Sequence, residues 1–228
     1  MNDALTLRPV ARIRSDFSSK FGIPRQSGIV ESLSAEIVFE EEFRNPDMLR
    51  GLEDFSHLWL IWHFSANRSQ DWSPTVRPPR LGGNVRMGVF ATRSPFRPNP
   101  VGLSCVRLLE IVPTVREGHI LRIGGADLMD GTPIFDIKPY VPYADAHPEA
   151  LEGFTSVKSR HVEVNIPAEM LAKFPESKRQ ALLGSLEQDP RPSYQADPER
   201  VYGFGFAGHE LRFSVADGVL TVLYCERL

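Results

Sequence analysis

Short apolar stretches recur along the first two thirds of the chain, at Ile37-Phe39, Leu58-Trp62, Met87-Ala91, Val101-Val112, Ile120-Ile123 and Ile134-Ile137. Turn signals such as Arg116-Glu117-Gly118 and Asp130-Gly131 separate them. Many short strands with few helical periods predict a closed or nearly closed antiparallel β-barrel. Helical character is confined to Pro46-Arg50 and to the region after Pro167, where "AEMLAKF" and "SKRQALLGSLEQ" follow one another. The second opens with Ser177 and Gln180 at capping-box spacing. From Val201 the period returns to two: Tyr202, Phe204 and Phe206, then Leu211, Phe213 and Val215, with an Asp217-Gly218 turn into Leu220-Val222-Tyr224. With "VPYADAHPEALEG" as connector, the pattern predicts a mainly β chain. An antiparallel β-barrel domain spans residues 1–160 and a small α+β domain spans residues 161–228.

One region fits neither period. Arg77 to Ser104, "RPPRLGGNVRMGVFATRSPFRPNPVGLS", is dense in proline and glycine, so no helix of normal length fits and Pro95, Pro98 and Pro100 exclude a central strand. A stiff, irregular loop system is expected. Charge sharpens the picture. The chain carries a net charge of −3, which argues against a globally basic nucleic-acid binder. Yet no Asp or Glu lies between Trp72 and Leu109, where Arg77, Arg80, Arg86, Arg93, Arg97 and Arg107 stand without a lysine. Guanidinium groups suit bidentate capture of carboxylate or phosphate. The segment reads as an anion-facing surface, unless its arginines pair with Glu40-Glu41-Glu42 or Asp54.

Several chemistries lack their signatures. No GxGxxG follows a strand and no GxxxxGK[ST] occurs, which disfavours a Rossmann-like or P-loop enzyme. Leu58-Trp62 is too short to cross a bilayer, and "MNDALTLRPVARIRS" has no signal-peptide core, so a cytoplasmic protein is expected. Cys105 and Cys225 lack CxxC spacing and are expected in the core. His57 and His63, with Asp127 and Asp130, match no metal-ligand pattern, and no metal is expected. The acidic block "GGADLMDGTPIFDIKPYVPYAD" gathers Asp127, Asp130 and Asp136; these either act on a ligand or, for Asp127 and Asp130, cap the turn at Gly131-Thr132.

Four long stretches in order, "KFGIPRQSGIV", "GLEDFSHLWLIWHF", the arginine-proline segment and "DLMDGTPIFDIKPYVPYAD", resemble the TrmO family, also called YaeB-like or TsaA-like. "DPRPSY" at Asp189 to Tyr194 resembles the start of that family's C-terminal extension. The resemblance implies a methyltransferase that uses S-adenosylmethionine and acts on tRNA, at the exocyclic nitrogen of threonylcarbamoyladenosine beside the anticodon, chiefly in threonine tRNA. It also implies a β-barrel catalytic domain that forms homodimers. Carried over by motif, the cofactor-contacting segments fall on Gln26, Ser27, Gly28 and Ile29; on Ser65 and Ala66; on Arg93 and Leu103; and on Asp127, Leu128, Met129 and Asp130.

Chemistry gives these positions roles. S-adenosylmethionine needs apolar walls, which Leu103, Ile29, Leu128 and Met129 offer. It needs a partner for its carboxylate, here Arg93, and an acid for its ribose or sulfonium, here Asp127 or Asp130. Asp130 and Asp136 are the candidate proton acceptors. Arg77, Arg80, Arg86 and Arg97 are expected to meet tRNA phosphates or the threonylcarbamoyl carboxylate, joined by Lys178, Arg179 and Arg191 from the C-terminal domain. The alternatives are a non-catalytic module that holds tRNA or the cofactor, and a hydrolase that clamps a small anion.

Overall fold

Alternating inward and outward residues build the first sheet. In β1 (Ala11–Arg14), Ala11 and Ile13 are buried while Arg12 and Arg14 face out, a short strand that the apolar stretches did not single out. β2 (Ser34–Phe39) and β3 (His57–His63) follow, then a two-stranded ribbon of β4 (Thr75–Val76) and β5 (Met87–Gly88), the long β6 (Val101–Thr114), β7 (Gly118–Gly124) and β8 (Pro133–Pro139). In this computed structural model, residues 5–67, 72–156, 161–192, 195 and 197–228 are described. β1 pairs with β2, β2 with β7, β7 with β6, β6 with β3, β3 with β8, and β8 with β1, every pair antiparallel. The six strands therefore close on themselves without a free edge. Ile37, Leu58, Leu60, Leu121, Ile123 and Ile134 fill the interior, all fully buried.

Two irregularities shape the end of the sheet that carries the cleft. Between Ile61 and Trp62 the β3–β8 register slips, so that Trp62 stands opposite Ile134 rather than Phe135. The extra residue, Phe135, lies on β8, and such a bulge bends the strand that carries it. The second slip, between Leu108 and Glu110, lets β6 serve β3 with its first half and β7 with its second.

After α1 (Pro142–Asp145) comes a second body: β9 (Glu163–Asn165), α2 (Ala168–Leu171), α3 (Glu176–Glu187), β10 (Tyr202–Phe206), β11 (His209–Ala216) and β12 (Val219–Arg227). The sheet order is β10-β11-β12-β9, with β9 parallel to β12. Its core is aromatic where the first is aliphatic, with Phe174, Phe204, Phe206 and Phe213 buried. This core is not confined to the residues after 160. The segment between β1 and β2 sends Phe17, Phe21, Ile23, Val30 and Leu33 into it, and Phe17 meets Phe206 edge-on at 5.2 Å. Gly22 permits that passage, since it takes φ +94° and a Cβ there would strike the Phe204 ring. Lys178 of α3 closes the seam with a 2.6 Å ion pair to Asp16.

Some expectations change. Met87-Ala91 is a strand for two residues only, and Val89–Ala91 turns as a 3-10 helix, held by Thr92 Oγ1 on Val89 O at 2.9 Å. Ser177 forms no capping box: α3 starts at Glu176 with Pro175 as its N-cap and no side-chain cap, which places Ser177 inside the first turn. Cys225 is buried in the second core, but Cys105 lies half-buried on the outer side of β6, because the inward positions there are Gly102, Ser104 and Val106. Burial still pushes both thiols up.

Candidate active-site cleft

At the end of β3 the alternation that buries Leu58 and Leu60 also turns Trp62 inward, directly across from Gly102 of β6. A Cβ at Gly102 would overlap the indole, so glycine is required for this pair to close. Phe64 packs edge-on against the same ring with centroids 4.3 Å apart. Two residues along β6, the buried Ser104 hydroxyl accepts from Trp62 Nε1 at 3.0 Å and donates to Asp127 Oδ1 at 2.6 Å. Asp127 sits in the loop between β7 and β8. Burial pushes its carboxyl above the usual carboxylate range, while the Ser104 hydroxyl, the backbone N–H groups of Asp127 and Ser27, and the Arg93 charge pull the other way.

Asp127 and Trp62 form the floor of a cleft of about 1490 Å³. One wall is the loop after Phe21, where Gln26 accepts from Arg93 Nη1 across the opening. The facing wall is the arginine-proline segment, which contributes Arg77, Arg80, Arg86 and Arg93. Among the described residues, Arg77, Arg86, Arg93 and Arg97 form no ion pair; Glu40 and Glu42 bind Arg12 and Arg8 instead. Arg86 Nη1 donates to Thr75 Oγ1 at 2.8 Å, which fixes its guanidinium without neutralising it, and Arg80 Nη1 donates to the Thr155 carbonyl at 2.7 Å. Arg25, also in the cleft, donates to the Arg191 carbonyl at 3.3 Å; burial and the Arg80 charge lower its pKa, the mark of cations gathered in one place. Three large aromatics line the same space while facing solvent: Trp72 at 54%, Phe90 at 81% and Phe96 at 45% exposed.

Many of the residues named from sequence meet here. Gln26, Ser65, Ala66, Arg93, Asp127, Leu128 and Met129 all line the cleft, as do Arg77, Arg80, Arg86 and Arg191. Others lie beside it. Ser27 docks the loop by accepting from the Cys105 N–H at 3.2 Å, and Gly28 donates to the Gly125 carbonyl at 2.8 Å. Ile29 is 41% exposed and Leu103, on the outward side of β6, is 51% exposed; neither is a wall of the cleft in one chain. Asp130 accepts from the Ser15 N–H at 3.0 Å, tying the acidic loop to β1. Asp136 pairs with Lys138 at 2.8 Å, next to Ile61 on β3. Neither acid lines the cleft.

In the second body, Lys178 is held by Asp16, Arg179 donates to the Phe174 carbonyl at 3.1 Å, and both stand away from the opening. Arg191 faces it but spends its fork on Asp189, at 2.8 and 2.9 Å. Of the two acids that line the cleft among the described residues, Asp189 is thus neutralised and Asp127 remains. In the "DPRPSY" stretch, Ser193 and Tyr194 lie outside the described residues. Arg97 bonds the Thr92 carbonyl at 3.1 Å and braces the loop from behind. The residues that the sequence does not single out for the site are Trp62 and Ser104. The signal for both was a hydroxyl and a glycine at consecutive inward positions of an otherwise apolar strand.

Comparison with known proteins fits this geometry. Residues 12–146 match the family described as the tRNA-methyltransferase O N-terminal domain, and residues 159–228 match the TrmO C-terminal domain. The chain is 42% identical over 223 residues to a tRNA (adenine(37)-N6)-methyltransferase of Escherichia coli strain K12, covering 94% of each chain. It is 47% identical over 169 residues to a protein of the same name from Eikenella corrodens, covering 74% of this chain and 95% of that one. Among solved structures, TrmO from Pseudomonas aeruginosa superposes with a TM-score of 0.77 at 32% identity, covering 98% of this chain and 99% of the other.

Proposed function

The chain belongs to the TrmO family, and on that premise we propose that it is a tRNA (adenine(37)-N6)-methyltransferase that draws its methyl group from S-adenosylmethionine. Relatives named S-adenosylmethionine-dependent methyltransferases and an S-adenosyl-L-methionine-binding protein support the choice of donor. So does the donor set of the cleft: one carboxylate without a cation bonded to it, an arginine held by a glutamine, and apolar side chains between them. The bound donor supplies a methyl group already activated by its sulfonium, so the protein's main task is alignment.

Each residue then has a part. Asp127 offsets positive charge at the floor of the cleft or accepts from a ribose hydroxyl, and Leu128 and Met129 pack beside it. Arg93, steered by Gln26, pairs with the methionine carboxylate. Ser65 and Ala66 close the far side. Arg77, Arg80 and Arg86 take tRNA phosphate or the carboxylate of a threonylcarbamoyl group. Trp72, Phe90 and Phe96 supply faces on which unstacked anticodon-loop bases rest, a mode that suits single-stranded RNA. We read the closed sheet as the family's β-barrel catalytic domain and the second body as a support that braces the cleft through Arg191, whose carbonyl accepts from Arg25. Two copies pairing through the outward side of β6 would cover Leu103 and bring Asp130 or Asp136 toward a shared site, an arrangement that gives those acids a role. Among the described residues no helix is long and apolar enough to cross a membrane, and a tRNA substrate agrees with residence in the cytoplasm.

The observation that carries the reading is the meeting of the desolvated Asp127 carboxylate with Arg77, Arg86 and Arg93, which form no ion pair among the described residues, in one cleft. Mass spectrometry of tRNA nucleosides tests it, after incubation with S-adenosylmethionine and tRNA that either carries or lacks the threonylcarbamoyl group. One added methyl on the modified adenosine alone is the expected product. Unmethylated tRNA in both arms, with cofactor binding intact, would leave the non-catalytic binding module.

A further inference from the structure

We propose that Ser104 is a positioning residue that, oriented by Trp62, favours the charged form of the Asp127 carboxyl and fixes its direction at the floor of the cleft; its use in catalysis rests on the proposed methyltransferase function. The direction of the hydrogen bonds follows from chemistry. An indole N–H donates and never accepts. The Ser104 oxygen, 3.0 Å from Trp62 Nε1, therefore accepts, and its single proton must point elsewhere. Asp127 Oδ1 stands 2.6 Å away and receives it. A Ser104 proton directed at Oδ1 favours the charged form of the acid, and the residue that directs it stands two steps away.

Packing makes this polarity permanent. Trp62 is 9% exposed and Ser104 1% exposed, so water does not compete for either group. The indole cannot swing away, since Gly102 lies under it and Phe64 packs against it, and pairing with β6 and β8 on both sides holds the strand that carries it. Asp127 needs such help because its surroundings favour the neutral acid, and the charged side chain that acts on it, Arg93, has its guanidinium engaged by Gln26. The remaining support comes from backbone N–H groups of Ser27 and Asp127. Ser104 is the side-chain hydroxyl that opposes the effect of burial.

A purely structural Ser104, present only to satisfy Trp62, would affect stability and leave the titration of Asp127 where it was. Carbon-13 carboxylate titration by NMR on the full chain separates the two. Ser104→Ala is expected to raise the Asp127 midpoint by about one pH unit, the size of a hydrogen bond to a charged group. Ser104→Thr, which keeps the hydroxyl, restores it, and Trp62→Phe, which keeps the ring but frees the serine proton, raises it less. Calorimetry with S-adenosylmethionine should show Ser104→Ala binding about tenfold more weakly at mildly acidic pH and recovering as pH rises. An unmoved midpoint in folded Ser104→Ala and Trp62→Phe proteins would overturn the proposal. If the unaltered protein binds no S-adenosylmethionine, the cofactor assignment fails, while the titration still decides the role of Ser104.

Discussion

The floor and the arginine wall of the cleft are built on opposite plans. The floor hangs from paired strands: Trp62 and Ser104 lie diagonally across the β3–β6 ladder and hold the loop residue Asp127 through one chain of hydrogen bonds. The wall is an irregular run between β4 and β6, where Arg86 and Arg97 bond a hydroxyl and a carbonyl and keep their charge. A strand-borne site holds geometry to fractions of an ångström, as alignment of a methyl transfer requires. A proline-stiffened loop presents several cations over a broad surface, as a folded RNA requires. Precision and reach are thus divided between neighbouring segments of one chain.

Breaking the floor should produce the largest effects. Asp127→Asn is expected to lower kcat/KM about 100-fold, the loss of one charge-assisted contact in a desolvated site. The same change should raise stability at neutral pH. The native carboxyl holds its proton to higher pH than the unfolded one, so stability falls as pH rises from the unfolded pKa through the folded one. Asparagine removes that penalty, and calorimetric unfolding should show a higher Tm that depends less on pH. Gly102→Ala drives a methyl into Trp62 and should destabilise the fold by about 3 kcal/mol, measured in urea, because the indole has nowhere to move.

Changes in the wall should be smaller and differ in kind. Arg93→Ala is expected to weaken S-adenosylmethionine binding about tenfold by calorimetry, with the fold intact. Arg77→Ala should weaken tRNA binding and reduce the slope of log affinity against log salt by about one. Phe90→Ala should weaken it by about 1 kcal/mol with the salt slope unchanged, since stacking releases no counterions. An altered slope in Phe90→Ala would remove the distinction between stacking and charge on this wall.

Much of the fold is legible in the sequence. Period-two alternation marks most strands, and the lack of acids from Trp72 to Leu109 marks the wall. What escapes is long-range. That Phe17 and Phe21 belong to the second core cannot be read locally, because their partners Phe204 and Phe206 are far along the chain. Asp127, Asp130 and Asp136 look alike in sequence, yet strand direction and loop ties send only Asp127 into the cleft of one chain. Lys178 resembles an RNA contact until its partner Asp16 is seen across the seam. Charge composition identifies a surface, but only the fold tells which charges are already answered.

The most direct test compares the unaltered protein and Asp127→Asn in methylation of threonylcarbamoyl-modified tRNA, followed by nucleoside mass spectrometry. One added methyl on adenosine 37 is expected with the unaltered protein, and loss of that product with the variant, which stays folded and is more stable. An Asp127→Asn protein that methylates at the full rate would contradict a catalytic floor built on the desolvated carboxylate.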